Sequence, residues 1–255
     1  YYENSYSDDD SDYSSSSANS VHSGAPSMSE IGRKDDSTNA YEAGKSIGSL
    51  MSAYGLNLDL APVADVLSGN STGIGDRTFG TDAQTVSDMA LEVIRGIQEE
   101  DVNAAMKYFP GYGAASSNMS GFPVINSSLD ELKKKEFLPY SNAIAQGLDF
   151  VMVGHISVPN VTGDDTPASL SEKMISEVLR KDLGFKGIVM TDYLNDKTIV
   201  KNYSAADAAV KAIQAGADLL LEPDDLEAAY EGVLKAVKKG DITEDRLDES
   251  IYRIL

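Results

Sequence analysis

The chain has 255 residues, 42% of them hydrophobic and 24% charged, which is enough to bury the core of one large α/β domain or two small ones. Its formal net charge is −20, and the five acids of the first twenty residues (Glu3, Asp8, Asp9, Asp10, Asp12) account for only a quarter of it, so repulsion over the remaining surface weighs against a nucleic-acid partner. No apolar stretch reaches the roughly 18 residues of a membrane span; with no cysteine and only His22 and His155, disulfides, thiolate nucleophiles, histidine metal clusters and a Ser-His-Asp triad lack their residues.

Residues 1–23 are rich in Ser and Asp, with no aliphatic run, and read as a linker or mobile surface loop. No signal peptide is visible, and the tyrosine at position 1 points to a processed or truncated product. From there helical and strand patterns alternate. Helices are predicted over 41–54, 86–99, 129–146, 173–182 and 205–215, where apolar residues recur at three- and four-residue spacing. Short apolar runs at 57–63, 102–109, 150–156, 187–191 and 217–222 read as buried parallel strands. Gly55, Gly147, Gly184 and Gly216 stand between a helix and the next strand, the rhythm of an α/β fold. Two further helices, 226–239 ended by Gly240 and 243–255 with Thr243 as N-cap, close the chain.

A (β/α) barrel and an open doubly wound sheet both fit this order. The strand ends separate them. Asp65 follows the first run, Lys107 lies near the end of the second, and His155, Asp192 and Glu222 end the third, fourth and fifth. A polar group at every carboxyl end suits a barrel, whose strands share one mouth, better than an open sheet, which needs such groups only at its switch point. Five readable strands against the eight of a closed barrel make the expected fold a TIM-type (β/α) barrel that is incomplete or lacks its first units.

Several of these groups are candidates for chemistry. Asp192, in GIVMTDYL, is either a nucleophile or base at the mouth or the N-cap of the following helix. Lys107 ends an apolar strand, where its ammonium needs an ion-pair partner or a ligand. His155 is a ligand contact or a satisfied core histidine. Arg77, in the glycine-bracketed loop IGDRTFG, can bind substrate hydroxyls or a carboxylate, or pair with Asp76 or Asp65. The small, polar stretch 113–121 (GAASSNMSG) suits a lid. No Walker loop, no GxGxxG after a strand and no HExxH is present, so no cofactor and no metal are expected.

NLDLAPVADV, IGDRTFGTD, KYFPGYG, VMVGHI, TPASLS with LRKDLGFKGIVMTDYL, and AGADLLLEP through RLDESIYRIL occur in the order and approximate spacing of the catalytic domain of family-3 glycoside hydrolases. From about residue 24 to 255 the chain resembles that family, and most of all its single-domain β-N-acetylglucosaminidases. The resemblance implies a TIM-type barrel and retaining hydrolysis, in which one carboxylate attacks the anomeric carbon and a second group protonates the leaving oxygen. It implies Asp192 as the nucleophile, Arg77 and Lys107 as holders of sugar hydroxyls, and His155 near the sugar. Tyr108 stands where the family's K-H-F-P-G-H-G motif has a sugar-binding histidine, and Tyr112 replaces the second histidine.

In the acetylglucosaminidase branch the next loop carries the acid/base histidine; here it reads Asn118-Met119-Ser120, which supplies no proton at neutral pH. Glu222 and Asp164 are candidates for a substitute carboxylate. The family's first strands and its D-x-E-G-G loop belong before residue 24, where this chain is Ser/Asp-rich. Two readings follow: a glycosidase acting on O-glycosyl bonds through Asp192, impaired by loss of the loop histidine, or a catalytically inactive carbohydrate-binding or scaffold protein on the same barrel. Either takes a carbohydrate (glycoside) ligand and leaves the oligomeric state open, and analogy with the family's relatives suggests a bacterial, extracytoplasmic or secreted setting.

Overall fold

Alternation along the strands, broken once in the second long run between Met106 and Phe109, sorts the core into two faces. A computed structural model of the chain describes residues 26–68, 74–116 and 121–255; the tract at 1–23 lies outside them. Four parallel strands, β1 (Leu58–Asp59), β2 (Asn103–Phe109), β3 (Phe150–Val153) and β4 (Ile188–Thr191), form a sheet in sequence order. Val63 extends the first stave by a bridge to Lys107, and 217–222 adds a fifth through Met190–Leu219. Ala104, Met106, Val151, Val153 and Val189 pack outward under the helices, while Ala105, Tyr108, Met152 and Met190 form a second cluster on the inner face with Leu58, Leu60, Leu219 and Leu221. Among the described residues the fold is therefore an arc of five parallel staves with helices on its convex side, a partial (β/α) barrel.

Most helices fall where the periodicity places them. Ser37–Ala53 and Ala83–Gln98 pack closely because Gly44 and Gly96 face the neighbouring backbone: a Cβ on Gly44 would meet the Val93 carbonyl oxygen at 2.2 Å, and one on Gly96 the Tyr41 carbonyl oxygen at 2.3 Å. The predicted helix over 129–146 is two, Leu129–Lys134 and Leu138–Ala145, with Pro139 in the first turn of the second. Proline there has no N–H and crowds the carbonyl four residues back, at Lys135, where the helix breaks. Lys173–Asp182 winds as a wide, π-type helix that still buries Met174, Ile175, Val178 and Leu179. Met28–Lys34 and Lys197–Asn202 are short helices that the apolar pattern does not announce; each is set by a cap, Ser27 with a capping box and Asp196 with Thr198. No described helix is long and apolar enough to cross a membrane.

At the amino end of the sheet Asp218, its side chain fully buried, binds Arg180 at 2.6 Å and Arg253 at 2.8 Å, with Arg246 3.7 Å away. It also accepts the Val189 N–H (2.9 Å) and the Ser250 hydroxyl (2.6 Å), tying β4, the fifth stave and the C-terminal helix Glu244–Ile254 together. Neutralising one partner of a buried ion pair strands the others, at a cost of about 3–5 kcal/mol. Asp218→Asn is thus expected to lose about that much stability in urea unfolding, with the C-terminal helix the first segment to lose amide protection in hydrogen exchange.

Candidate active site

The carboxyl ends of the staves bring Asp192 to a cavity of about 330 Å³, lined by Ile74, Arg77, Tyr108, Tyr112, Asp192, Tyr193 and Asp196. A larger hollow of about 730 Å³ lies at the opposite end, among Asn103, Asp149, Gly187 and Tyr252. Barrel chemistry gathers at the carboxyl ends, where the βα loops converge, and the candidate carboxylate selects the smaller cavity.

Asp192 directly follows β4 and is nearly buried. It does not cap the next helix, because Asp196 does that for Lys197–Asn202. Instead its Oδ1 accepts the Tyr193 N–H at 2.9 Å and its Oδ2 accepts the Tyr112 hydroxyl at 3.3 Å. Both carboxylate oxygens are thereby oriented on the cavity wall, the arrangement a nucleophile needs.

Arg77 and Lys107 bracket the ring of Tyr108. The guanidinium carbon sits 5.5 Å from the ring centroid and the ammonium 5.1 Å. Arg77 also donates to the Tyr108 hydroxyl. It pairs with neither Asp76 nor Asp65; Asp76 accepts instead from the Ser29 hydroxyl at 2.8 Å. Burial, reinforced by the Arg77 charge, pulls the Lys107 ammonium below its usual range, although Asp59, Asp192 and Asp65 work the other way. Tyr108 and Tyr112 meet edge to face with centroids 5.3 Å apart.

His155 lies apart from the cavity lining. It is buried, its Nε2 lies 2.8 Å from the Tyr193 carbonyl and its Nδ1 2.7 Å from the Ser169 hydroxyl. A carbonyl only accepts, so Nε2 carries the proton, and in the neutral ring Nδ1 accepts from Ser169. Both nitrogens are occupied, Nε2 by the loop after Asp192 and Nδ1 by the turn Ala168–Leu170. The acid/base loop at Asn118-Met119-Ser120 lies outside the described residues, while its base is closed by Ser116 and Val124 in an antiparallel bridge. Glu222 accepts from the Asn195 amide at 3.3 Å and Asp164 from the Thr166 N–H at 2.9 Å; neither lines the cavity. Among the described residues no group of three His, Asp or Glu stands ready to hold a metal ion.

Of the residues the sequence singled out, Asp192, Arg77 and Tyr108 line this cavity, Lys107 stands against the Tyr108 ring without lining it, and His155 lies off it. Sequence reasoning passed over Tyr193, Asp196 and Tyr112 as cavity residues. Their signal was position: the first residues after a barrel strand form its rim.

The parallel (β/α) arc with a seated carboxylate, two cations and aromatic rings at its strand ends is a barrel whose polar groups gather at one mouth. The chain belongs to glycoside hydrolase family 3: the model of the family's N-terminal domain matches residues 15–255. It is 31% identical over 238 residues to the beta-hexosaminidase LpqI of Mycobacterium tuberculosis, covering 90% of this chain and 61% of that protein. It is 32% identical over 220 residues to a beta-N-acetylglucosaminidase/beta-glucosidase of Cellulomonas fimi, 82% of this chain and 39% of the other. Among solved structures, a family-3 beta-N-acetylglucosaminidase from Paenibacillus sp. str. FPU-7 superposes with a TM-score of 0.85 at 37% identity over 90% of this chain and 44% of that one. The chain thus spans about three fifths of the mycobacterial relative and less than half of the Paenibacillus protein.

Asp65, packed under Gly111, is 1% exposed, with neither carboxyl oxygen hydrogen-bonded. Burial pushes its pKa up to about 8, against the lowering effects of the Tyr112 backbone N–H, which does not complete a hydrogen bond, and of Arg77 and Lys107; the Asp192 charge adds to the rise. The unfolded chain releases this proton near its ordinary value of 3.8 and the folded chain only near 8, so between them the folded state binds the extra proton. Raising pH through that interval therefore removes stability, at up to about 1.4 kcal/mol per unit from this group, and the loss levels off above pH 8. Asp65→Asn, neutral throughout, is expected to flatten that slope in urea unfolding between pH 5 and 9; an unchanged slope would show the carboxyl ionises normally.

Proposed function

We propose that this chain carries the catalytic side of a retaining β-N-acetylhexosaminidase or β-glucosidase that uses Asp192 as its nucleophile. The observation that carries this reading is the seating of Asp192: both its oxygens are held by donors, and it faces a cavity of about 330 Å³ lined by Arg77 and three tyrosines. In this reading an Asp192 oxygen attacks the anomeric carbon and the aglycone oxygen leaves with the bonding pair, giving a glycosyl-enzyme that water then hydrolyses with retention. Arg77 and Lys107, which make no ion pairs among the described residues, supply donors for sugar hydroxyls, and Tyr108 between them gives an aromatic wall. The substrate class comes from relatives whose names specify hexosaminidase, N-acetylglucosaminidase and glucosidase activities.

The proton donor is where this chain departs from the family pattern. Residues 118–120 offer no acid, and His155 is engaged at both nitrogens. Asp196 is the one other carboxyl on the cavity lining among the described residues, and it is tied as a cap to Thr198. Glycosides whose leaving group needs no protonation should therefore react far better than alkyl ones, since a missing general acid costs about 10²–10⁴ in rate. The same departures support the second reading, a protein that binds sugar without turning it over.

Hydrolysis of 4-nitrophenyl β-N-acetylglucosaminide and β-glucoside separates the two. The wild type is expected to release nitrophenol from at least one, and Asp192→Ala to lose more than about 10³-fold. Inactivity of the folded wild type towards both would leave the binding reading. Arg77→Ala should raise KM by about 10-fold with a smaller change in kcat, as loss of a charged hydrogen bond to bound sugar does; an unaltered KM would place the sugar elsewhere.

A further inference from the structure

Tyr112 stands where the resemblance sets a histidine, and its phenol is not idle. The hydroxyl lies 2.9 Å from the His155 backbone nitrogen and 3.3 Å from Asp192 Oδ2. The amide can only donate, so it occupies a lone pair of the phenol oxygen and leaves the hydroxyl hydrogen to Asp192. Such a chain of donors polarises its second link. The ring that carries the hydroxyl has little freedom. It is held edge-on by Tyr108, and Gly154, the first residue after β3, leaves it room: a Cβ there would come within 3.1 Å of Tyr112 Cε2. The backbone beneath turns at Gly111, with φ 121°, directly over the Asp65 carboxyl.

Resting on the reading of Asp192 as nucleophile, we propose that Tyr112 is a positioning residue: its hydroxyl, aligned by the His155 amide, holds Asp192 Oδ2 as the oxygen that attacks the anomeric carbon. Oδ1 is committed to the shorter, stiffer bond from the Tyr193 amide, which pins the carboxylate plane; Oδ2 has the longer contact, which yields as the new C–O bond forms. Burial first, then the Asp192 charge, raises the Tyr112 phenol well above its ordinary range, so it remains a donor at any pH where the protein is folded and active. A histidine at this place could lose that role by titration; a buried phenol does not. Tyr112 thus replaces a titrating ring by a fixed donor in the motif that opens the site.

The test is covalent trapping with a 5-fluoro-β-N-acetylglucosaminyl fluoride, in which Asp192 forms the C–O bond while the anomeric C–F bond breaks and fluoride leaves with the electron pair, so no general acid is required. The full chain and Tyr112→Phe are compared by mass spectrometry over a range of reagent concentrations. Tyr112→Phe is expected to label with a maximal rate about 10- to 100-fold lower and a half-saturating concentration unchanged, because binding does not use the phenol. Equal maximal rates would overturn the proposal, as would a change confined to the half-saturating concentration.

A second measurement needs no turnover. The Tyr112 hydroxyl proton, identified by its absence from the NMR spectrum of Tyr112→Phe, should be protected from exchange and should move on Asp192→Asn; a resonance indifferent to that change would equally overturn the proposal. A wild type that takes no label at Asp192 would sink the glycosidase reading itself, and the hydroxyl resonance would still decide whether Tyr112 holds Asp192.

Discussion

Desolvation at the carboxyl ends of the staves is the constraint on which the site depends. Asp65, Lys107, Tyr108 and Tyr112 all have their ionisation displaced by burial before any neighbour acts. In water, the Lys107 and Arg77 charges would be screened from Asp192; under a tyrosine wall the same charges act through a lower dielectric. The neutral form favoured for Asp65 belongs to this economy. A second full negative charge beneath Asp192 would compete for both cations.

The two ends of the arc treat buried charge in opposite ways. At the amino end Asp218 is saturated by arginines, an amide and a hydroxyl, and every contact ties one element to another. At the carboxyl end Arg77 and Lys107 lean on an aromatic ring and have no carboxylate of their own among the described residues. Charge that is satisfied internally stabilises; charge left with unused donors is available to a ligand. His155 shows how near the two cases lie, since a strand-end histidine spends one ring nitrogen on the Tyr193 carbonyl of the loop that carries Asp192 and the other on the Ser169 hydroxyl.

Much of this was legible in one dimension. The apolar runs ending in Asp65, Lys107, His155, Asp192 and Glu222 announce parallel staves with a common polar end, and the glycines between helix and strand mark the joints. The break at Lys135 escaped a reading by periodicity alone, although Pro139 held the signal. Asp192 as cap or nucleophile was undecidable from spacing, because both roles place an acid after a strand; it is settled as a non-cap by Asp196, four residues on, doing the capping. Arg77 with Asp76 looked like a pair, yet the 3₁₀ turn Gly75–Arg77 sends the two side chains to Tyr108 and Ser29 respectively.

The sequence by itself determined the order of the elements and the parallel strands that carry Lys107 and Asp192 to their carboxyl ends, which follow from local periodicity and from the rule that the carboxyl ends of barrel strands face one mouth; Arg77 and Tyr108 were placed with them only through the resemblance to family 3. Tertiary structure alone decided what each polar group is free to do. Whether His155 faces a ligand or a loop, whether Asp65 keeps its proton and whether Tyr112 reaches Asp192 depend on groups 14 to 80 residues away in the chain. Hydrogen bonding and desolvation act through space over a few ångströms, and no spacing along the chain encodes them.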